Sequence, residues 1–350
     1  CTDEQRRRGE QRGMPGCTGP GPPWRALPCT RASRAPRSPA SSTARPGSPR
    51  TAGRRCCGPS RSWGTSPTRR PAAWSPSAPT RSRSCFPRSR AGSFSDDQFF
   101  PGVVRGVGQE LEEADKQLVL MMARSPAGRD RIERFAQARH VDGVMVASVH
   151  GADPLPAALA RMGIPVVCNE RLLGSTALPY VGVDNAGGAA LAVRHLLGSG
   201  RTRVVTVAGP QDMVAGIDRL TGYRTALKEA GREPVVAAGD FTQESGAVAM
   251  RELLGREPEL DAVFVASDLM GLGVLRALRQ AGRRVPEDVA VVGFDDVQAA
   301  RYADPPLTTV RQPIAEIGRR LARQLLRLAG GEAIEPAVVL DVELVLRGSA

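Results

Sequence analysis

Ala262-Val-Phe-Val-Ala-Ser-Asp268 runs into Leu269-Met-Gly-Leu-Gly-Val-Leu-Arg-Ala-Leu-Arg-Gln-Ala281, and after a polar stretch comes Val289-Ala-Val-Val-Gly-Phe-Asp-Asp296. The outer pieces are short, nearly continuous apolar runs that end in acids. The middle piece carries apolar residues with a 3.6-residue period. Strand, helix and strand of this kind indicate a parallel sheet with both faces covered. The same alternation extends outward. Gln117–Met121, Gly143–Ser148, Pro165–Cys168 and Val204–Ala208 read as further strands, and Val103–Ala114, Gly187–Leu197, Gly216–Ala230, Gly246–Leu254 and Ile314–Leu328 as helices. The stretch from 94 to 350 is long for one such sheet, so the pattern predicts an α/β fold of two lobes. Ligands of such lobes bind beyond the carboxyl ends of the strands.

That rule singles out residues. Asp295 lies just past the strand ending at Gly293, and Asp268 lies past Ala266 at a helix start. Asp184 and Asn185 open another helix, and Asn169, Glu170 and Arg171 follow the strand ending at Cys168. Helix capping also accounts for Asp268 and Asn185, and a turn accounts for Asp295. Phe99 and Phe100 read either as core or as an aromatic face for a ligand ring. Polar residues at several strand ends together point to a cleft. His140, His150 and His195 have no metal-ligand spacing, and Cys168 reads as a small core residue.

The first ninety-three residues are a different material. They hold 19 Arg, no Lys and three acids (Asp3, Glu4, Glu10), a net charge of +16. Of the totals of 48 basic and 36 acidic residues, 29 and 33 therefore remain for 94–350, a net charge of −4. The segment also holds all three Trp and six of the seven Cys, but no Val, no Ile and only Leu27. It builds no hydrophobic core and is expected to be disordered. The charge of the whole chain therefore says little about what the folded part binds. The early cysteines lack the paired spacing of a zinc site, and no partly apolar framework of a disulfide scaffold surrounds them. No run nears the roughly 18 apolar residues of a membrane span, and no signal peptide is evident. A reducing cytoplasm fits. Without GxxxxGK[ST], HExxH or GxSxG, nucleotide hydrolysis, zinc hydrolysis and serine-esterase chemistry have no anchor.

Residues 94–350 resemble the effector-binding core of the LacI/GalR family of transcription repressors, itself similar to periplasmic sugar-binding proteins. The resemblance is carried by Val181-Gly-Val-Asp-Asn185, Gly209-Pro210 with Arg219-Leu-Thr-Gly-Tyr223, and Gly239-Asp-Phe241. Ser267-Asp268 with Gly271-Leu-Gly273, Arg284-Val-Pro-Glu-Asp-Val289, Gly293-Phe-Asp-Asp296, Pro305-Pro-Leu-Thr-Thr-Val-Arg-Gln-Pro313 and Leu344–Ser349 complete it. Each motif is weak alone, and their order and spacing make the match specific. The resemblance implies two lobes, joined by three crossing strands, that clamp a small effector. Lobe 1 would hold about 94–184 and 313–330, and lobe 2 about 185–312 and 331–350. Arg171, Arg219, Asp268 and Asp295 are carried over as pocket residues beside Asn169, with Phe99 or Phe100 and Phe241 as aromatic walls. Two carboxylates and two guanidiniums suit hydroxyl-rich ligands such as sugars. Some sugar-responsive members carry a further Arg where this chain has Ile217.

The family places a helix-turn-helix head and a hinge ahead of the core. Residues 1–93 match that length but not those residues, and their composition is what GC-rich DNA yields in an unused reading frame. Let each new codon take one third-position base and the first two bases of the next residue. Ser62–Trp74 then permits L-G-Y-V-P-N-A-A-A-R-S-L, the entry to the hinge helix. Arg31–Ala44 permits G-V-S-R-A-T-V-S-R-V-L-N-G, the turn and recognition helix. Thr80–Pro87 permits S-I-A-L-V-F-P, the first strand of lobe 1. Three fits in one frame and in order make residues from about 30 to 90 a frame-shifted reading of such a head, against the alternative of a natural basic tail. In the frame as it stands, Arg81–Pro87 is not expected to supply the opening strand.

The resulting expectation is a sugar-responsive repressor, dimeric on operator DNA, cytoplasmic, with no cofactor, metal or membrane partner. Its specific DNA contacts would be missing from residues 1–93. A solute-binding protein of a sugar transport system is the alternative. A sugar-active enzyme has no paired acid/base motif to support it.

Overall fold

The computed structural model describes residues 81–86, 98–123, 125–174 and 177–350. The expectations for the remainder of residues 1–93, the head and hinge included, lie outside the described residues.

Lobe 1 is a six-stranded parallel sheet in the order β11-β5-β4-β3-β1-β2. Its strands are β1 (Arg81–Phe86), β2 (Gln117–Met122), β3 (Gly143–Val146), β4 (Val166–Asn169), β5 (Tyr180–Val183) and β11 (Ala337–Leu340). Its helices are α1 (Phe99–Glu113), α2 (Pro126–Gln137), α3 (Leu155–Arg161) and α9 (Ile314–Ala329). Lobe 2 has the order β12-β10-β9-β8-β6-β7, with only β12 antiparallel. Its strands are β6 (Val204–Ala208), β7 (Val236–Ala238), β8 (Ala262–Val265), β9 (Ala290–Asp295), β10 (Thr308–Arg311) and β12 (Glu343–Val345). Its helices are α4 (Asn185–Gly198), α5 (Val214–Glu229), α6 (Gln243–Arg256), α7 (Asp268–Gln280) and the short α8 (Gln298–Arg301).

Alternation along each central strand feeds two cores at once. Val263 and Val265 of β8 join Val205, Val207 and Val291 on one face of the lobe 2 sheet. Ala262 and Phe264 join Val204, Val292 and Phe294 on the other. Every residue of β6, β8 and β9 is buried, which explains the nearly unbroken apolar runs. Helices start where a short polar side chain meets a free backbone N–H: Asp184 accepts from Gly187, Thr242 from Ser245 and Ser267 from Met270. Neighbouring helices meet at glycines. A Cβ on Gly273 of α7 would stand 1.9 Å from the Gln243 carbonyl of α6, and one on Gly246 of α6 would stand 2.2 Å from that of Met270.

Two expectations are corrected. Arg81–Phe86 does form a strand, placed between β2 and β3 and paired in parallel with both. A strand slot is filled through backbone N–H and C=O groups, which Arg and Ser also possess, and Pro87 falls just beyond it. The stretch assigned to lobe 2 after residue 331 is also divided. Ala337–Leu340 pairs with β5 of lobe 1, and only Glu343–Val345 pairs with β10 of lobe 2. The chain therefore passes between the lobes three times, at 183–185, 311–314 and 340–343.

Candidate functional site

The carboxyl ends of the strands in both sheets meet at a polar cluster centred on Arg219 of α5, which is 5% exposed. Its Nε donates to Asn185 Oδ1 at 2.8 Å, and its Nη1 donates to the Ala266 carbonyl at 2.6 Å and to Asp295 Oδ1 at 3.2 Å. The guanidinium lies 3.7 Å from the centre of the Phe294 ring and 5.9 Å from that of Phe241. These are cation–π distances. Asp295 Oδ1 also accepts from Gln312 Nε2 at 2.6 Å. Each partner comes from a different strand end or helix start, so the folding of lobe 2 fixes the guanidinium before any ligand arrives.

Several residues here hold backbone conformations that L-residues seldom adopt. Glu170, Phe241, Asp295 and Asp296 have φ of 74°, 66°, 119° and 57°. Such conformations cluster at functional sites, where surrounding contacts hold them. For Asp296 the contacts are visible. Arg301 Nη2 at 3.1 Å, Arg311 Nε at 2.6 Å and Arg347 all donate to its carboxylate. Burial raises this carboxyl, but the three guanidiniums outweigh it and hold it below its ordinary range.

Lobe 1 reaches across at two places. Arg171 Nη2 donates to Asp218 Oδ1 at 2.6 Å, and Glu170 Oε1 accepts from Asn185 Nδ2 at 3.1 Å. Nearby, His150 pairs with Asp212 at 2.9 Å and Gly151 N donates to the Asp212 carbonyl at 2.7 Å. Burial pushes the Glu170 carboxyl up to about 7, only partly offset by the Asn185 bond and the Arg219 charge. A carboxyl raised above its ordinary 4.5 stabilises the fold below that value, and the stabilisation is lost as pH rises through about 7. Between pH 5 and pH 8 the native chain should therefore lose up to about 3 kcal/mol that Glu170→Gln does not lose. Thermal melts across that range check this, and parallel curves for the two chains would contradict it.

The sequence-derived residues separate into groups. Arg219, Asp295 and Phe241 come together. Asn169 is buried and donates to the Val181 carbonyl at 3.1 Å, and Arg171 is the cross-lobe bridge. Asp268 is corrected: it is fully buried, with Oδ1 accepting from Thr309 at 2.6 Å and Oδ2 from Val297 N at 2.9 Å. It ties the loop after β9 to β10 and does not face the cleft. Burial, followed by the Asp295 charge, pushes its carboxyl well up. Phe100 packs beside Ala147 and Met122, and Phe99 against the lobe 1 core. Sequence reasoning leaves out Gln312 and Asp218, and leaves Asn185 open between a cleft residue and a cap. The cap is Asp184, which leaves the Asn185 amide for Arg219 and Glu170.

Two parallel-sheet lobes, three crossings and a charged cluster at facing strand ends define a ligand-clamping module, and residues 193–350 match the periplasmic binding protein-like domain family. The full described region places the chain more finely. It is 49% identical over 259 residues to the HTH-type transcriptional regulator CelR of Thermobifida fusca, covering 72% of this chain and 76% of that one. It is 32% identical over 268 residues to the HTH-type transcriptional repressor CytR of Escherichia coli K12, with the same shares covered. The solved complex of the regulator CelR with cellobiose superimposes with a TM-score of 0.74 at 46% identity, over 78% of this chain and 86% of that one. The chain belongs to the LacI/GalR family of transcriptional regulators. These relatives are transcriptional regulators and repressors, not enzymes or transport proteins. Among the described residues no helix is long and apolar enough to cross a membrane.

Proposed function

We propose that the cleft binds a short glucose-based sugar of the cellobiose type and that lobe closure on it controls operator binding by a cytoplasmic homodimer. The observation that carries this reading is the buried Arg219 guanidinium, held by Asn185, Ala266 and Asp295 between two phenylalanine rings. Charged groups fixed in this way make strong, directional hydrogen bonds to hydroxyls. Asp295 and Arg219 grip the ring, Phe241 walls it on the lobe 2 side, and Asn169 and Arg171 meet it from lobe 1. The similarity to a regulator solved with cellobiose supports the choice of sugar.

Calorimetry of the full chain with cellobiose tests the reading. Asp295→Ala should weaken binding by about 10- to 150-fold, the loss of one charge-assisted hydrogen bond worth roughly 1.5–3 kcal/mol. Unchanged affinity would remove Asp295 from the site.

Residues from about 30 to 90 are read as a shifted frame of a helix-turn-helix head. An intact head would place its second helix in the major groove of a two-fold operator. The segment as it stands offers charge, and Pro36, Pro39, Pro46 and Pro49 break up the sequence that would form a base-reading helix. The coding DNA should show a neighbouring frame open through residues 31–87 that joins the present frame between about 88 and 94, and a stop codon within it would overturn this reading.

A further inference from the structure

The Asn185 side chain faces both lobes. Its Oδ1 accepts from Arg219 Nε at 2.8 Å in lobe 2. Its Nδ2 donates to Glu170 Oε1 at 3.1 Å in lobe 1 and, at 3.4 Å, to the Val183 carbonyl. One amide therefore links Glu170 to Arg219, and Arg219 in turn bonds Asp295.

Lobe 1 places the Glu170 carboxyl closely. The residue holds φ at 74°, where L-residues are seldom found. Its backbone N donates to the Val181 carbonyl at 2.9 Å, and Asn169 Nδ2 donates to the same oxygen at 3.1 Å, so the loop after β4 is pinned to β5. The carboxyl lies against Gly182 of β5. A Cβ on that glycine would stand 2.5 Å from Glu170 Oε2 and 2.9 Å from its Cδ. Backbone strain, a missing side chain and desolvation are all sustained around one acid. The groups that act on it are Asn185 of α4, a backbone bond from Val183 of β5, and the charges of Arg219 and Asp218 on α5. Arg171, next to it in the loop, is engaged with Asp218.

The chemistry of the two partners gives this placement a consequence. A carboxylate only accepts hydrogen bonds, whereas an amide has one accepting and one donating end. Ionised Glu170 therefore selects the NH2 end of Asn185 and turns Oδ1 toward the Nε–H of Arg219. A protonated carboxyl can also donate, and the selection is relaxed.

We propose that Glu170 is a positioning residue for the effector site: from lobe 1, through Asn185, it sets the direction of the Arg219 guanidinium. Its consequence for binding rests on the effector reading above. Because burial brings the carboxyl to about 7, the positioning should strengthen as pH rises through neutrality. The stability that Glu170 contributes falls over the same range, so the two effects have opposite signs.

The test has two readings on the full chain. The first needs no effector. The Arg219 Nε–H resonance, identified by its loss in Arg219→Lys, should shift between pH 6 and pH 8 in the native sequence and stay fixed in Glu170→Gln. A resonance that holds still in the native chain, or moves equally in both, overturns the inference. The second is calorimetry with cellobiose. Native affinity should rise about 3- to 10-fold from pH 6 to pH 8, the size of one ordinary hydrogen bond. Glu170→Ala should be weaker by about that factor at pH 8 and flat with pH. Glu170→Gln keeps an acceptor oxygen for Asn185, so it should recover most of the pH 8 affinity and remain flat. Gly182→Ala displaces the carboxyl without altering any charge and should weaken binding as Glu170→Ala does. The stoichiometry reports the folded fraction separately from the affinity. If the native chain binds cellobiose and both Glu170→Ala and Gly182→Ala keep its affinity, or if native affinity does not rise with pH, the positioning role is overturned and the effector reading stands. If the native chain binds no cellobiose, that reading falls and the resonance alone decides the role of Glu170.

Discussion

Arg219→Ala is expected to abolish sugar binding and to cost the fold about 3–5 kcal/mol, the usual penalty for removing one partner of a buried ion pair. The family resemblance assigns this side chain to the ligand pocket. Its surroundings also tie it into the fold. Arg219 and Asp295 are 5% and 8% exposed. Without the guanidinium the Asp295 carboxylate keeps Gln312 but loses its counter-charge, and the Ala266 carbonyl and the Asn185 amide oxygen each lose a donor. The Phe294 ring loses the cation stacked on it. Urea denaturation measures the loss. Adding Asp295→Asn to Arg219→Ala should recover part of it, because the stranded charge is gone. A single-variant loss below about 1 kcal/mol would show that water enters and resolvates the cluster.

Gly273→Val should be strongly damaging although it lies away from the cleft, at about 3 kcal/mol, the upper end of overpacking costs. Its first added carbon would stand 1.9 Å from the Gln243 carbonyl and 2.8 Å from the Ala247 nitrogen. Both are helix backbone, which has no rotamer to give, so α6 and α7 must move apart. Their separation opens the core that holds Met250, Leu253, Val274 and Leu278. Gly255→Ala, in the same α6 but with open space around it, serves as the control and should be neutral or slightly stabilising. Equal melting temperatures for the two variants would show that the helix pair is looser than its contacts indicate.

What could be read from sequence follows burial. The strands β6, β8 and β9 are plain because both their faces are covered and every residue but Thr206 and the terminal Asp295 is apolar or glycine. β10 was passed over because Thr308 and Thr309 serve side-chain hydrogen bonds to Ala350 and Asp268. β11 alternates exposed and half-buried residues at a sheet edge, and α2 buries only Gly128, Ile132 and Ala136 among many charges. Neither shows the periodicity of a fully covered element. β1 was missed for a different reason: its neighbours create the slot, and composition does not reveal a slot. In the cleft, Asp295 and Asp268 look alike along the chain, since each follows an apolar strand. Thr309, forty-one positions from Asp268, decides that the Asp268 carboxyl turns inward. No local pattern carries that information.

The three passages between the lobes also fix an order of events during synthesis. Lobe 1 is made of the first and nearly the last parts of the chain, since β11 at Ala337–Leu340 and α9 at Ile314–Ala329 belong to it. As the polypeptide leaves the ribosome, β1 to β5 emerge first but lack α9, which shares with α1 the cover of one face, and the strand that closes one edge. Five of the six lobe 2 strands, β6 to β10, follow as one uninterrupted run. The second lobe to be translated is thus the first able to assemble most of its sheet, and the nascent lobe 1 waits with an open edge. Chaperone capture or aggregation during translation should act on that edge.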